Sequence, residues 1–194
     1  MKVSTLYLPT TGSMSHPTAT SAPASACAPN LVADTICRTV ELGLSIDNAA
    51  DAGNLTHLYC HPVIVDLNCP GCGHACRVRD HVERRLTDLP IAGHPSLLHV
   101  RVPRLFCTSD DCEVTIFRAS IPQAADDRQA VTHRVTRWIL QRIATDGMSV
   151  KACARGLGIG WDKTNQLALT ACRHLSYQDP SRLDRVRVLG RRRA

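Results

Sequence analysis

Two closely spaced pairs of cysteines are the residues in this chain best suited to chemistry. Cys69 and Cys72 lie in "CPGCG", and Cys107 and Cys112 lie in "CTSDDC". Four thiolates satisfy the tetrahedral preference of Zn²⁺, and a site closed by four protein ligands stabilises a fold without performing catalysis. We therefore predict a structural zinc site, in which the Pro and Gly of the first motif let backbone N–H groups turn toward sulfur.

Other roles for the cysteines remain open from the motif alone. A CxxC pair can also be a redox pair, but that use favours a neighbouring βαβ unit, which the sequence does not predict. The opening residues predict no secretory signal, so a reducing compartment favours metal binding or burial over disulfides. His74 and Cys76 beside the first motif, and the adjacent Cys60 and His61, are predicted to be spare. Cys27 lies in the predicted loose tail and Cys37 in a predicted helix, and Cys153 and Cys172 in the C-terminal helices are most simply small buried hydrophobes.

Predicted strands position the two cysteine pairs. Residues 55–68 predict one or two short strands, residues 77–87 predict another, and "DLPIAGHP" over 88–95 predicts a loop. In "LLHVRVPRLFC", Leu98, Val100 and Val102 alternate with polar residues, as in a half-buried strand. Pro103 predicts that this strand lies at a sheet edge. Upstream, a helix is expected over 31–44, with one apolar face formed by Leu31, Ile36, Val40 and Leu44.

The chain after Pro122 changes to helical periodicity. Apolar residues at helical spacing predict one helix that ends near Gly147, and Ser149 is a plausible N-cap for the next. In "VKACARGLGIGWDKTNQL", over 150–167, Ala154 and Gly158 have the spacing of the small residue and the turn glycine of a helix-turn-helix. The apolar or tolerated positions between and around them are Cys153, Leu157, Ile159, Thr164 and Leu167. The second helix is expected from Trp161 to about Leu175.

A helix-turn-helix places the start of its second helix in the DNA major groove. On this interpretation Trp161, Lys163, Asn165 and Gln166 face outward toward the bases. Candidate phosphate contacts are Arg134, Arg137, Arg155 and Arg173. The alternative is an ordinary helical hairpin with a solvated basic face.

The charge distribution favours a polyanionic partner. The 194-residue chain has a net charge of +6, and residues 123–194 contain 14 Lys and Arg against 6 Asp and Glu. A basic segment on an otherwise nearly neutral chain indicates nucleic acid as the first candidate partner. No stretch is long and apolar enough to predict a membrane span.

The order "CPGCG", "RVRDHVERRLTDLPIAGHP", "VRVPRLFCTSDDC", helix-turn-helix and "RVRVLG" resembles the N-terminal half of bacterial insertion-sequence transposases of the ISL-three family, over residues 31–190. The resemblance implies that the zinc ribbon and helix-turn-helix bind the terminal inverted repeats of the element. In that family "VLG" leads into the first catalytic Asp of an RNase H-like domain. Here Gly190 is followed by "RRRA", so no catalytic Asp is carried over and a truncated product is expected.

These observations together predict an α+β fold, with a small β-rich zinc ribbon followed by an all-α helix-turn-helix domain. The expected divisions are a disordered tail (1–30), a short helix and strands (31–68), the zinc ribbon (69–121), the DNA-binding domain (122–178) and a basic tail (179–194). The predicted function is non-enzymatic binding of double-stranded DNA at insertion-sequence ends in the bacterial cytoplasm, as a homodimer or with a full-length transposase. The alternatives are a transcriptional regulator of the same architecture and an enzyme, either redox-active or completed by another chain.

Overall fold

The computed structural model describes residues 29–177 together with Ser181 and Asp184. The predicted tails over 1–30 and 179–194 otherwise lie outside the described residues, although residues 29 and 30 begin a helix. The elements are α1 (Pro29–Cys37), a 3-10 helix (Thr39–Leu42), β1 (Leu44–Asp51), β2 (Thr56–Pro62), β3 (Arg77–Ile91), β4 (His94–Phe106), β5 (Ile116–Arg118), α2 (His133–Ala144), α3 (Val150–Leu157) and α4 (Trp161–Tyr177). The predicted mixture of helices and a sheet is confirmed.

The five strands form one sheet in the order β1-β2-β4-β3, with β5 pairing with β4. Strands β3 and β4 form a long antiparallel hairpin that turns at Ala92 and Gly93, both of which have positive φ. The loop predicted over 88–95 is therefore shorter than expected. Strand β2 lies parallel to the first part of β4, and β5 lies antiparallel to its last part.

Strand β4 is the central strand of the sheet, and its predicted alternation holds at Arg101 but not at His99, which is buried between its neighbours. Leu98, Val100 and Val102 are fully buried, whereas Arg101 is exposed. The edge position predicted from Pro103 is wrong, because β4 has neighbours on both sides. Pairing with β2 ends at Val100 and pairing with β5 begins beyond Pro103, so the missing N–H of Pro103 falls in the gap between two partners.

The helix predicted over 31–44 is wrong in its length and in its buried face. Helix α1 ends at Cys37, and Leu44 begins β1 in the core. The buried carboxylate of Asp34 accepts hydrogen bonds of 2.7 Å from the Thr39 hydroxyl, the Ser45 hydroxyl and the Ile46 N–H, which fixes the turn from helix to strand. The apolar side chains expected to face the core are instead exposed: Leu31, Ile36 and Val40.

One hydrophobic core joins the sheet to the cysteine motifs. It contains aliphatic residues from β1 to β4 and also Cys69, Cys76 and Cys107. Residues from both sides of the predicted boundary between 68 and 69 contribute to this core. The cysteine motifs are therefore packed on the same sheet as the strands that precede them.

The three C-terminal helices pack around a second cluster. Its buried members are Val131, Val135, Ile139, Leu157, Leu167 and Ala168, and Leu89 of β3 packs against them. The turn between α3 and α4 lies close to the β-hairpin, since a Cβ on Gly158 would be 2.9 Å from the Pro95 side chain. No helix in the described part of the chain is long and apolar enough to cross a membrane.

Candidate metal centre and DNA-binding surface

The β3–β4 hairpin brings the two cysteine pairs together. Arg77, at the start of β3, is opposite Phe106, at the end of β4. The first cysteine pair precedes β3 and the second pair follows β4, so both pairs lie at the same end of the hairpin. The Cys107 N–H donates to the Thr115 carbonyl and the Thr108 hydroxyl donates to the Ala75 carbonyl, which tie the two motifs to the strand ends.

The geometry of the four thiols fits a tetrahedral metal ion. The Sγ atoms of Cys69 and Cys112 are 3.7 Å apart, and those of Cys72 and Cys107 are 3.6 Å apart. All four Sγ atoms lie within 4.8 Å of one another. Zinc–sulfur bonds of about 2.3 Å in a tetrahedron separate the sulfurs by about 3.8 Å. The predicted zinc site is therefore confirmed. Its four thiols fill the coordination shell of the ion, so the zinc is structural.

Backbone groups around the first motif favour the thiolate form. Hydrogen bonds from the N–H groups of Cys72 and Gly71 lower the pKa of the Cys69 thiol to about 6, although its burial opposes the shift. At Cys112 the Val114 N–H acts to lower the pKa, but burial and the neighbouring thiols raise it to about 12. Zinc binding then requires protons to leave.

The neighbouring cysteines and histidines are outside this site, as predicted. Among the described residues, only the four cysteines form a group of three or more metal-binding side chains close enough to share an ion. Burial raises the pKa of Cys76 to about 11, so this thiol stays protonated and packs as an apolar group. Cys60 is buried in the sheet, and His61 Nδ1 is 2.7 Å from the Asp47 carboxylate.

Helices α3 and α4 have the bounds and turn that the sequence predicts. The Ser149 side chain accepts a hydrogen bond from the Ala152 N–H and caps α3. Gly158 ends α3 with a φ of 67°, a conformation that favours glycine. Ala154 and Leu157 are buried where the helices meet. Local capping and turn chemistry therefore set the two helices that a helix-turn-helix requires.

The exposed surface of α4 differs in part from the predicted one. Thr164, Leu167 and Ala168 are buried, and residues on a helix follow one another at about 100°. The side of α4 opposite these three residues carries Asp162, Gln166, Leu169 and Arg173, all exposed. Of the predicted base contacts, Trp161 and Gln166 are exposed, whereas Lys163 and Asn165 are half-buried on the two flanks. A helical projection based on the predicted apolar positions Thr164 and Leu167 would have placed Leu169 on the exposed side of α4.

A groove runs between α2 and α4 beside this surface. It has a volume of about 850 Å³. Its polar lining includes Arg128, Arg137, Lys163 and Gln166, with Asp126 as its acidic member. Arg155 on α3 and Arg173 on α4 are also exposed. The three helices therefore present a mainly cationic surface around the start of α4.

Arg134 has a structural role that the sequence did not indicate. Its guanidinium forms an ion pair with the fully buried Asp88 of β3 and donates to the carbonyls of Cys37 (3.1 Å) and Arg38 (3.2 Å). Only 14% of the Arg134 side chain is exposed. These bonds occupy the donors that a phosphate would need. Arg134, predicted as a phosphate contact, therefore has no guanidinium nitrogen free of an internal partner.

Comparison with known proteins identifies the cysteine region. Residues 68–112 match the model of a family described as the zinc-finger of transposase IS204/IS1001/IS1096/IS1165. The match begins one residue before Cys69 and ends at Cys112, so it contains all four metal-binding cysteines. No curated protein and no solved structure is significantly similar to the chain. The zinc ribbon of this chain is therefore one of the type found in these transposases.

Proposed function

We propose that this chain is a transposase-derived DNA-binding protein that recognises the terminal inverted repeats of an insertion sequence. The observation that carries the proposal is a zinc ribbon of the transposase type on a sheet that also packs against α3. Helix α3 is capped by Ser149 and is joined to α4 by a turn at Gly158. The ribbon supplies stability through its metal. Helix α4 enters the major groove, and the cationic residues around it contact phosphates.

The described surface supports this assignment of roles. Arg137, Lys163, Arg155 and Arg173 come from three different helices and have no hydrogen bond or ion pair within the described part of the chain that would compete with phosphate. Gln166 and Trp161 are exposed in the first two turns of α4. Phosphate contacts of this kind fix the position of a protein on the duplex, and side chains of the inserted helix read the bases.

Binding to duplex DNA across a series of salt concentrations tests the proposal. Four phosphate contacts give a slope of log K against log salt of about −3.6. Arg155→Ala removes one contact and makes the slope less steep by about 0.9. The control is Arg101→Ala, since Arg101 is exposed on β4 and lines a cavity formed by residues of the strands alone. Equal effects of the two substitutions, or no salt-dependent binding, would contradict the proposed surface.

The proposal includes two statements about activity. The chain itself does not cleave DNA, and it can occupy transposon ends in competition with a full-length transposase, either as a homodimer or in a mixed complex. Incubation of the zinc-loaded chain with supercoiled DNA and Mg²⁺ tests the first statement, and nicking would refute it. A transposition assay with and without the chain tests the second, and an unchanged frequency would refute it.

The sequence recognised distinguishes this function from that of a transcriptional regulator. Selection from a library of random duplexes gives the preferred site. A site that matches the inverted repeats of an insertion sequence supports the transposase-derived function. A site found only in promoters would replace it with regulation.

A further inference from the structure

The outward side of α4 is a row of four exposed residues, which we call the crest: Asp162, Gln166, Leu169 and Arg173. They lie opposite the buried side of the helix because residues follow one another at about 100°. Within the described part of the chain, no hydrogen bond or ion pair engages the three polar members. These side chains are therefore available to a partner without first breaking an internal contact.

Leu169 is the apolar member of the crest. It is 48% exposed, although Leu167 and Ala168, which precede it directly, are buried in the helical core. An exposed leucine needs no special explanation in itself, but this one stands between Gln166 and Arg173 on the side that would face the DNA. In the major groove the apolar group available to such a side chain is the C5-methyl of thymine.

The spacing of crest residues along α4 is comparable to the spacing of base pairs. Gln166 and Leu169 are separated by about 4.5 Å along the helix axis. Successive base pairs in duplex DNA are about 3.4 Å apart along the DNA axis. Glutamine pairs with adenine through two hydrogen bonds in the major groove. The two side chains can therefore read adjacent base pairs.

We propose that Leu169 is a specificity-determining residue that contacts a thymine methyl, next to an adenine read by Gln166. The proposal rests on the proposed function, because it requires α4 to enter the major groove. It goes beyond that function by assigning the base class recognised at the centre of the crest. The recognised site therefore contains an adenine and a thymine on adjacent base pairs.

Substitution of deoxyuridine for thymine tests this contact, because it removes only the methyl group. The zinc-loaded chain is first used to select a site from random duplexes. Each thymine of that site is then replaced in turn, and Kd is measured by fluorescence anisotropy. For the unchanged chain, replacement of one thymine weakens binding by about fourfold, the effect of exposing one buried methyl group.

Two variants complete the test. Leu169→Ala binds the thymine and deoxyuridine duplexes with equal affinity, because it lacks the side chain that contacts the methyl. Leu175→Ala keeps the fourfold ratio, since Leu175 is also exposed on α4 but lines the groove with α2 instead of the crest. A ratio of one for the unchanged chain at every thymine, or a fourfold ratio retained by Leu169→Ala, overturns the inference while DNA binding stands. If no sequence is selected, the proposed function itself fails.

Discussion

Replacement of Arg134 with methionine separates the folding role of this residue from the DNA-binding role proposed for its neighbours. Methionine keeps an unbranched apolar stem but removes the guanidinium. The carboxylate of Asp88 is fully buried and accepts a bond of 2.7 Å from Arg134 Nε. In the variant, Asp88 keeps the 2.7 Å hydrogen bond from the Thr132 hydroxyl but loses its counter-charge. The carbonyl of Cys37 loses its donor as well.

The expected cost is large because the remaining charge stays buried. Breaking a buried ion pair by removing one partner lowers the free energy of unfolding by about 3–5 kcal/mol. Native domains have a total of about 5–15 kcal/mol, so this loss is a large fraction. For a chain of this size the midpoint of thermal unfolding falls by about 6–20 °C.

Urea unfolding followed by circular dichroism, at a fixed excess of zinc, measures the loss. The matched control is Arg137→Met, three residues further along α2, where the side chain is exposed. It changes the free energy of unfolding by less than about 0.5 kcal/mol but weakens DNA binding. Arg134→Met combined with Asp88→Leu recovers stability, because the unpaired charge is gone. A loss below about 1 kcal/mol for Arg134→Met, or equal losses for both arginines, would refute the reasoning.

Three further results follow from the same structure. Cys112→Ser lowers the zinc content from about one ion per chain and unfolds the ribbon, whereas Cys76→Ser retains zinc. Metal analysis and circular dichroism measure the two effects, and zinc loss from both variants would contradict the four-thiol site. Zinc affinity falls by at least about 100-fold per pH unit between pH 7 and 5, because the pKa values of Cys72 and Cys112 are raised and at least these two thiols must release protons. Competition with a chelator checks this, and a flat profile would argue against thiolate ligands. Gly158→Ala lowers the free energy of unfolding in urea by about 2 kcal/mol or more, since the φ of Gly158 is 67° and the added Cβ would meet Pro95. Gly147→Ala lowers it by less, because Gly147 has a similar φ of 65° but open space around it. Equal losses for the two variants would contradict the packing argument.

Local signals in the sequence were sufficient to predict the structure where interactions between neighbouring residues determine it. Ser149 caps α3 and Gly158 ends it because capping and a left-handed turn depend on a few adjacent residues. The alternation of β4 likewise predicted the burial of Leu98, Val100 and Val102, although His99 on the other side is buried as well. The spacing of the two cysteine pairs predicted the ligands, because one pair directly precedes β3 and the other directly follows β4 at the same end of the hairpin.

Long-range contacts explain the predictions that were wrong. Leu44 continued a helical pattern in the sequence, but the buried Asp34 carboxylate binds the Ile46 N–H and the chain becomes a strand. Pro103 suggested an edge strand, but β3 pairs with β4 along one side. Along the other side, β2 pairs with β4 before Pro103 and β5 pairs with it after Pro103. Helical periodicity and proline chemistry describe a segment alone, and neither contains information about which strand will lie beside it.

The sequence by itself determined the zinc ligands, the bounds of α3 and α4 and the basic character of the C-terminal third, because spacing, capping and charge are properties of nearby residues. Only the tertiary structure decided which arginines are held in an internal ion pair and which are exposed. Arg134 and Arg137 are indistinguishable in the sequence as cations on one helix. Asp88 lies on a strand 46 residues earlier, and its burial against α2 turns one arginine into a structural ion pair while leaving the other exposed.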